Sequence, residues 1–312
     1  MMMANPTGSA KYLRPDVLAR ISGLELRARH VVEGFVSGMH RSPYHGYSVE
    51  FSQYKEYSPG DDLRHLDWRV FGRSDRFFVK QYEEETNLRA HLVLDCSGSM
   101  RYPDQEKEAG RLTKFEYAAT LAASLAYLLV YQQDAVGLLL FDNAVRANLP
   151  ALSNQAHLHS IIGQIERARL ENPSDAGMLF DVLASKLTRR SLVVVISDLL
   201  TDEAALTKVL ERLRYARHEV LVFHVLDHDE REFPFLENTQ FEGLETPDTQ
   251  LLVDPQALRT GYLDALNQFI GRLRTACTNA RIEYVGLSTT EPLDVALRAF
   301  LAARMRVMKG AA

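Results

Sequence analysis

The chain has 312 residues, 46% of them hydrophobic and 25% charged, a composition typical of a folded globular protein. Its net charge of −5 argues against nucleic-acid binding, because that function needs a basic face to neutralise phosphates. Two cysteines are too few for a disulfide framework, and the longest apolar run, Tyr117–Tyr131, is short for a membrane span of roughly 20 residues. We therefore expect a cytoplasmic protein that does not insert into a membrane.

The first part of the chain predicts one helix followed by a β-containing extension. Apolar residues recur at helical spacing from about Pro15 to Gly38, which predicts an amphipathic N-terminal helix. The segment His40–Glu85 is rich in aromatic, charged, glycine and proline residues. Two stretches in it, Tyr47–Tyr54 and Arg76–Tyr82, are typical of strands.

From Leu88 onward, apolar strand-like stretches alternate with helical ones. The predicted strands are Ala90–Leu94, Ala135–Phe141, Ser191–Ile196, Glu219–Leu226 and Ile282–Leu287. The predicted helices are Lys114–Gln132, Gln155–Ala168, Met178–Lys186, Glu203–Tyr215, Pro255–Asn279 and Pro292–Met308. Such alternation predicts an α/β fold with a mostly parallel sheet covered by helices on both faces.

Two further features complete the predicted organisation. Val145–Leu149 follows a turn-like Asp-Asn pair and predicts an antiparallel edge strand, and the polar stretch Asp229–Asp248 predicts a surface excursion. We divide the chain into residues 1–87, an N-terminal helix with a small β-containing extension, and residues 88–312, the α/β domain.

One short motif, Asp95-Cys96-Ser97-Gly98-Ser99, follows the first strand of the α/β domain. It presents a carboxylate and two hydroxyls at alternate positions, and hard oxygen ligands favour Mg²⁺, Mn²⁺ or Ca²⁺ over Zn²⁺. The same residue types are also common in turns, so the motif alone fits either a metal site or a turn. Asp198 follows another strand, and the carboxyl ends of parallel strands share one rim, where ligands bind. Ser174, or Asp175 beside it, can reach this rim from a loop.

This ordered set of residues resembles the metal-ion-dependent adhesion site of von Willebrand factor A domains, over roughly residues 90–225. The resemblance implies that Ser97, Ser99 and Ser174 supply hydroxyl ligands to Mg²⁺, while Asp95 and Asp198 balance its charge. It also implies one coordination position left open for a carboxylate of a partner protein. That family has threonine where Ser174 stands, and serine lacks the methyl group that fixes the rotamer. A slip of one residue would place Asp175 there instead.

A second resemblance covers about residues 46–199. The element Gly60–Trp68 ahead of Asp95–Met100 resembles the bacterial domain-of-unknown-function 58 family, whose members carry Gly-Asp-Asp-x-Arg-x-x-Asp-Trp before Asp-x-Ser-x-Ser-Met. The resemblance implies a protein that works with a MoxR-type AAA+ ATPase in the maturation or assembly of a client protein. Because the chain has no Walker loop, that partner would supply the nucleotide chemistry. Trp68, the only tryptophan, is expected to anchor the Gly60–Trp68 element against the core.

We interpret the chain as a non-enzymatic protein-interaction module that binds a divalent cation and captures an acidic group of a partner. Two alternatives stay open: a structural adaptor with an empty metal site, and a metal-dependent hydrolase, which would need a general base near Asp95. Cys96 is expected to face the core as a small apolar residue. A second metal site after the fourth strand is less expected than solvated loop residues there, at His224, Asp227, His228 and Asp229.

Overall fold

The protein is represented by a computed structural model, which describes residues 15–18, 23–40, 54–56, 78–80, 88–103, 111–170, 172–175, 187, 189–245 and 250–309. The predicted helix Met178–Lys186 and the Gly60–Trp68 element lie outside the described residues. So do most residues of the predicted strands Tyr47–Tyr54 and Arg76–Tyr82, of which Tyr54 and residues 78–80 are described as strand.

The described elements alternate along the chain much as the hydrophobic pattern predicts. In chain order, the strands are β1 (Tyr54–Glu56), β2 (Phe78–Lys80), β3 (Arg89–Asp95), β4 (Ala135–Phe141), β5 (Val145–Leu152), β6 (Leu192–Ser197), β7 (Glu219–Leu226), β8 (Thr239–Glu242), β9 (Gln250–Val253) and β10 (Glu283–Ser288). The helices are α1 (Pro15–Leu18), α2 (Leu24–His40), α3 (Lys114–Tyr131), α4 (Gln155–Glu166), α5 (Glu203–Tyr215), α6 (His228–Glu232), α7 (Pro255–Asn279) and α8 (Asp294–Lys309). None of the described helices is both long and apolar enough to cross a membrane.

Contacts between residues divide the chain into two compact units, Met1–Gly38 with Leu88–Ala312, and Met39–Asn87. In the smaller unit, β1 pairs with β2 in antiparallel orientation. In the larger unit, the backbone N–H of Leu24 at the start of α2 donates to the Glu166 carboxylate at the end of α4, 3.2 Å away. The boundary after residue 87 stays a prediction.

A six-stranded sheet in the order β10-β7-β6-β3-β4-β5 forms the centre of the larger unit. All neighbouring strands are parallel except β5, which runs antiparallel to β4 at the edge. Every residue of β6 is buried, as expected for a strand covered by helices on both faces, whereas β5 alternates between half-buried and exposed positions along most of its length. The predicted fold class, an α/β fold with a mostly parallel sheet and one antiparallel edge strand, is confirmed.

One local expectation was wrong, and a second was incomplete. The N-terminal apolar pattern predicted one helix, but Gly23 adopts a left-handed conformation with φ +87° immediately before α2, and a right-handed helix cannot continue through it. The stretch Asp229–Asp248 is more ordered than a plain surface excursion, because β8 pairs with β9 as an antiparallel hairpin. The strand β8, Thr-Gln-Phe-Glu, has a single apolar residue, so its hydrophobic pattern is too weak to predict a strand.

Candidate functional site

The candidate site lies where the strand order of the sheet reverses. β3 and β6 are adjacent and parallel, with Leu94 opposite Ile196, so Asp95 and Asp198 leave the sheet at the same rim. β3 connects onward to β4 on one side while β6 and β7 lie on the other, and a crevice at such a switch point is the usual ligand site of open α/β sheets. The topology therefore brings together the acids that the sequence places far apart.

Asp95 is fully buried and held at both oxygens. Its Oδ1 accepts a hydrogen bond from the Ser97 backbone N–H at 2.8 Å, and its Oδ2 accepts one from the Ser197 hydroxyl at 2.5 Å. The hydroxyl oxygens of Ser97 and Ser99 lie 3.1 Å apart. Ser99 lies on a single 3₁₀ turn, Gly98–Arg101, that directly follows Ser97. Three of the predicted ligand residues thus form one compact cluster.

Asp198 lies on the other side of this cluster and is bonded to a buried cation. Its Oδ1 accepts from the Leu200 backbone N–H at 3.2 Å, and its Oδ2 accepts from the Lys114 ammonium at 2.8 Å. Lys114 is fully buried at the start of α3 and also donates to Glu230 Oε1 at 2.6 Å. One ammonium group is therefore shared by two carboxylates.

The charges of the cluster shift the pKa values of its acids in different directions. Burial raises the pKa of Asp95, and the neighbouring Asp198 carboxylate raises it further. Burial also acts to raise the pKa of Asp198, but the charge and hydrogen bond of Lys114 hold it below its usual range. Burial raises the pKa of Glu230 and of Glu245, and the Asp198 charge adds to both rises. Asp95, Glu230 and Glu245 therefore lie in surroundings that favour their protonated forms unless a cation is bound beside them.

The backbone beside Asp198 is conformationally strained. Leu199 is buried with φ +57°, in the left-handed region that bulky residues rarely adopt. Its backbone N–H donates to the Ser197 hydroxyl at 2.8 Å, which keeps the turn in place. Strained residues of this kind are concentrated at functional sites, where the surrounding structure holds them.

The loop that contains Ser174 and Asp175 lies near the rim, but its side chains are less tightly connected to it. The Gly98 backbone N–H donates to the Asn172 carbonyl at 2.8 Å, and the Asp175 N–H donates to the Asp142 carbonyl at 3.1 Å. Ser174 is half-buried and Asp175 is exposed. Within the described residues, no hydrogen bond joins the Ser174 hydroxyl to the Asp95 cluster. Its role as third hydroxyl ligand, and that of Asp175 as its alternative, stay predictions.

Sequence reasoning missed Lys114, Glu230 and Glu245. A signal for Lys114 was available, because Thr113-x-x-Glu116 is a capping box that predicts a helix start there. A lysine in the first turn of a helix is opposed by the helix dipole, so its charge is expected to have a partner elsewhere. Glu230 and Glu245 lie in the segment that we expected to be a surface excursion, and nothing in the local pattern distinguishes them from solvated acids.

The prediction of solvated loop residues at His224, Asp227, His228 and Asp229 was wrong for three of the four, and His224 lies within β7. His224, Asp227 and Asp229 are buried, and only His228 is exposed. Arg111 donates to Asp227 at 2.6 Å and to Asp229 at 3.0 Å, so both acids belong to a structural ion-pair network. No group of three or more His, Cys, Asp or Glu side chains within the described ranges is arranged to hold a metal ion.

Cys96 has no exposed surface, and its thiol donates to the Phe141 carbonyl at 3.1 Å, as expected for a residue that faces the core. Burial raises the pKa of this thiol to about 12, which leaves almost no thiolate at neutral pH. Cys96 is therefore a structural residue and a poor nucleophile.

A cleft of about 1360 Å³ opens beside the cluster. Its lining includes the polar residues Ser99, Lys114 and Glu230, and residues of the β8–β9 hairpin together with the aromatic residues Phe233, Phe235, Phe241 and Tyr262. A partner group that reached Ser99 through this cleft would therefore pass both apolar and charged surface.

Comparison with known proteins identifies the family. Residues 53–268 match the family described as "Protein of unknown function DUF58". This chain belongs to the DUF58 family. The DUF58 chain is 28% identical over 255 residues to the uncharacterized protein Rv1480 of Mycobacterium tuberculosis (strain ATCC 25618 / H37Rv), and the alignment covers 80% of this chain and 78% of that protein. The uncharacterized protein Mb1516 of Mycobacterium bovis (strain ATCC BAA-935 / AF2122/97) matches to the same extent.

The solved structures that this chain matches are more distant in sequence. The conserved hypothetical protein BatB from Bacteroides thetaiotaomicron has 15% identity and a TM-score of 0.46, over 71% of this chain and 99% of that one. The SpRpn10 VWA domain has 12% identity and a TM-score of 0.38, over 67% of this chain and 93% of that one. The DUF58 family predicted from the sequence is confirmed.

Proposed function

We propose that this DUF58 protein is a non-enzymatic interaction module that holds a divalent cation, Mg²⁺ or in its place Mn²⁺ or Ca²⁺, and captures a carboxylate of a partner protein. The residues that would hold the cation are Asp95, Ser97, Ser99 and Asp198, with Ser174 or Asp175 as a further donor. The single observation that carries the proposal is the placement of the Ser97 and Ser99 hydroxyls, 3.1 Å apart, between two buried carboxylates at the switch point of the sheet.

The donor set fits a hard divalent cation in two respects. All of its atoms are carboxylate or hydroxyl oxygens, which Mg²⁺, Mn²⁺ and Ca²⁺ prefer. The cluster is also short of positive charge, because the carboxylates of Asp95, Asp198, Glu230 and Glu245 surround the single ammonium of Lys114 among the described side chains. Buried carboxylates need a cation or a proton, and a divalent ion would supply the missing charge.

The chain's own residues would perform distinct tasks in this function. The Ser197 hydroxyl and the Ser97 N–H fix the orientation of Asp95, and Lys114 fixes that of Asp198. Ser97 and Ser99 contribute neutral oxygens, so they donate electron density without cancelling a cation's charge. A cation that takes part of its ligands from neutral hydroxyls would keep an attraction for an external carboxylate, which the cleft beside Ser99 would admit.

Isothermal titration of EDTA-treated protein with Mn²⁺ and Mg²⁺ tests the proposal. Asp95→Asn keeps the shape of the side chain but removes its charge, and we expect it to weaken Mn²⁺ binding by roughly tenfold or more. Asp264→Asn is the matched control, because Asp264 is an exposed carboxylate on α7. Equal Mn²⁺ binding by wild type and Asp95→Asn would contradict the proposed site.

One observation favours a second candidate, a structural adaptor without a metal. The Lys114 ammonium already lies 2.8 Å from Asp198, where it neutralises one of the two principal acids. In such an adaptor Lys114 would be the permanent cation of the site. Absence of Mn²⁺ binding by the wild-type protein, together with partner binding that is unaffected by EDTA, would select the adaptor.

We further propose a MoxR-type AAA+ ATPase and a client protein as the partners, on the basis of the family resemblance alone. Co-elution of the purified protein with such an ATPase on size exclusion, with Mg²⁺ and then with EDTA, measures both the association and its metal dependence. Co-elution that is lost with Asp95→Asn would support the combined proposal. Failure to co-elute under either condition would remove the ATPase and leave the metal site to the titration above.

A further inference from the structure

Residues 243–245, which directly follow β8, lie against the turn that carries the serines. A Cβ atom placed on Gly98 would lie 2.8 Å from the Leu244 carbonyl oxygen and 3.4 Å from Glu245 Cγ, so only glycine permits this approach. The Arg101 guanidinium donates to the same Leu244 carbonyl at 3.0 Å. Residues 243–245, which we call the covering segment, are therefore packed against the candidate site.

The covering segment brings one carboxylate, that of Glu245, to the serine cluster. The Ser99 hydroxyl and backbone N–H act to lower the pKa of Glu245, and the same hydroxyl acts to lower that of Asp198, so Ser99 faces both carboxylates. A serine hydroxyl has a single proton to donate, so it cannot satisfy two carboxylates at once. Glu245 Oε1 is buried and has no hydrogen-bond partner among the described residues. A buried carboxylate oxygen without a donor indicates that a positive group belongs beside it.

The hairpin that carries the covering segment is firmly attached to the α/β unit. Phe233 packs against Phe235, Phe241 and Tyr262, with ring centroids 5.1, 5.9 and 4.7 Å away. The Arg259 side chain on α7 donates to the carbonyls of Phe233 and Glu232. Because Phe241 lies in β8 itself, this aromatic group fixes the strand that leads into Gly243 and so directs Glu245 toward the site.

We propose that Glu245 is an internal ligand of the candidate metal site: it supplies from within the chain the carboxylate that the proposed function assigns to a partner. This inference rests on the proposed function. A partner's acidic side chain can then bind only in an open state, in which residues 243–245 have left the site. The apparent affinity for a partner is therefore the affinity of the open state multiplied by the fraction of molecules that are open. The covering segment also indicates the chemistry of the partner. Because Glu245 directly follows Leu244, we expect the partner to present an acidic residue directly after a leucine.

The experiment uses a capped peptide, acetyl-Gly-Leu-Glu-Thr-amide, which reproduces residues 243–246, and measures how strongly protein-bound Mn²⁺ broadens the NMR signals of its leucine methyl groups. In wild type the internal Glu245 competes, and we expect weak broadening. In Glu245→Ala we expect broadening at least several-fold stronger, although Mn²⁺ affinity itself falls roughly tenfold with the loss of a carboxylate. The same peptide with glutamine in place of glutamate is expected to give no enhancement.

Two further variants separate the internal ligand from general loosening of the loop. Arg101→Ala removes the bond to the Leu244 carbonyl but keeps the carboxylate, so it should give broadening between those of wild type and Glu245→Ala. Glu242→Gln is the matched control, because Glu242 is an exposed carboxylate three residues from Glu245 on the same hairpin, and it should behave as wild type.

The outcomes distinguish this inference from the proposed function. If wild type and Glu245→Ala bind Mn²⁺ with equal affinity and broaden the peptide signals equally, the site binds metal but Glu245 is not its ligand, and the inference is overturned. If none of the proteins binds Mn²⁺, the proposed function fails and the internal ligand fails with it.

Discussion

Lys114 has the most unusual environment of the described side chains around the candidate site. Its ammonium is fully buried and bonded to Asp198 at 2.8 Å and to Glu230 at 2.6 Å. Burial acts to lower the pKa of an ammonium group, but these two carboxylates raise the pKa of Lys114 above its usual value, so it stays charged. Both carboxylates therefore depend on the Lys114 ammonium for a neutralising positive charge.

Replacing Lys114 by methionine should therefore destabilise the protein strongly. The change preserves most of the side-chain volume but leaves two carboxylates without their cation, at an expected loss of about 3–5 kcal/mol. Urea unfolding in EDTA measures the loss, with Lys208→Met, an exposed position on α5, as the matched control. If Mn²⁺ binds at Asp198, it should restore part of the stability of Lys114→Met. A Lys114→Met protein as stable as wild type would show that the ion pairs contribute nothing.

His91 on β3 makes stability depend on pH in a defined direction. Burial, together with the nearby His218 and Arg89, lowers its pKa to about 4, whereas the unfolded chain has a value near 6.5. The unfolded state therefore binds more protons between pH 4 and 6.5, so the His91 contribution is present above pH 6.5 and is lost as the pH falls toward 4.

We expect His91→Gln to lose less stability than wild type when the pH is lowered from 7 to 5, by about 1–2 kcal/mol. Comparing two proteins that differ at one position cancels the contributions of the buried carboxyl groups, whose raised pKa values act in the opposite direction. Urea unfolding at the two pH values provides the measurement, and parallel losses in both proteins would refute the assignment to His91.

At the scale of single elements, the start of α3 positions the cation of the site. The Thr113 hydroxyl accepts from the Glu116 N–H at 3.0 Å, and the Glu116 carboxylate accepts from the Thr113 N–H at 3.0 Å, which forms a complete capping box. The helix therefore begins at Lys114, and its ammonium is directed toward Asp198.

Thr113→Ala removes one half of this capping box. We expect a loss of about 1 kcal/mol in the free energy of unfolding, while Thr113→Ser, which keeps the hydroxyl, should lose much less. Thermal unfolding of the three proteins measures the difference. Equal losses in the alanine and serine variants would mean that the methyl group, and not the cap, stabilises the helix.

At the scale of the whole molecule, the sheet and its two helical layers provide a rigid base for the site. β3 lies at the centre, paired with β4 on one side and β6 on the other, and Leu92 in β3 is fully buried. Close packing around such a residue leaves little room for relaxation when side-chain volume is removed.

Leu92→Ala should therefore reduce the stability of the whole molecule by about 2–5 kcal/mol. Leu252→Ala on the β8–β9 hairpin is the comparison, because Leu252 is 72% exposed and its truncation should have little effect. Urea unfolding distinguishes the two. A small loss for Leu92→Ala would indicate that the centre of the sheet can collapse around the cavity.

The sequence by itself determined the strands and helices whose hydrophobic pattern is strongly periodic. It thereby also showed which acidic residues follow the ends of strands. β4, β7, α5 and α7 begin and end where the hydrophobic pattern placed them, because long apolar runs are buried in only one way in a covered parallel sheet. The pairing of Asp95 with Asp198 at one rim followed from the same topology. For these elements, the local sequence pattern was sufficient to predict the fold.

Only the tertiary structure decided which distant side chains complete the site. Lys114 reaches Asp198 from the start of a helix, and Glu245 reaches Ser99 from the end of β8, a strand with a single apolar residue. Their roles depend on charge and proximity across the fold, and those contacts leave no periodic trace in the sequence. Hydrophobic burial is encoded locally by the pattern, whereas the balance of buried charges exists only once the chain has folded.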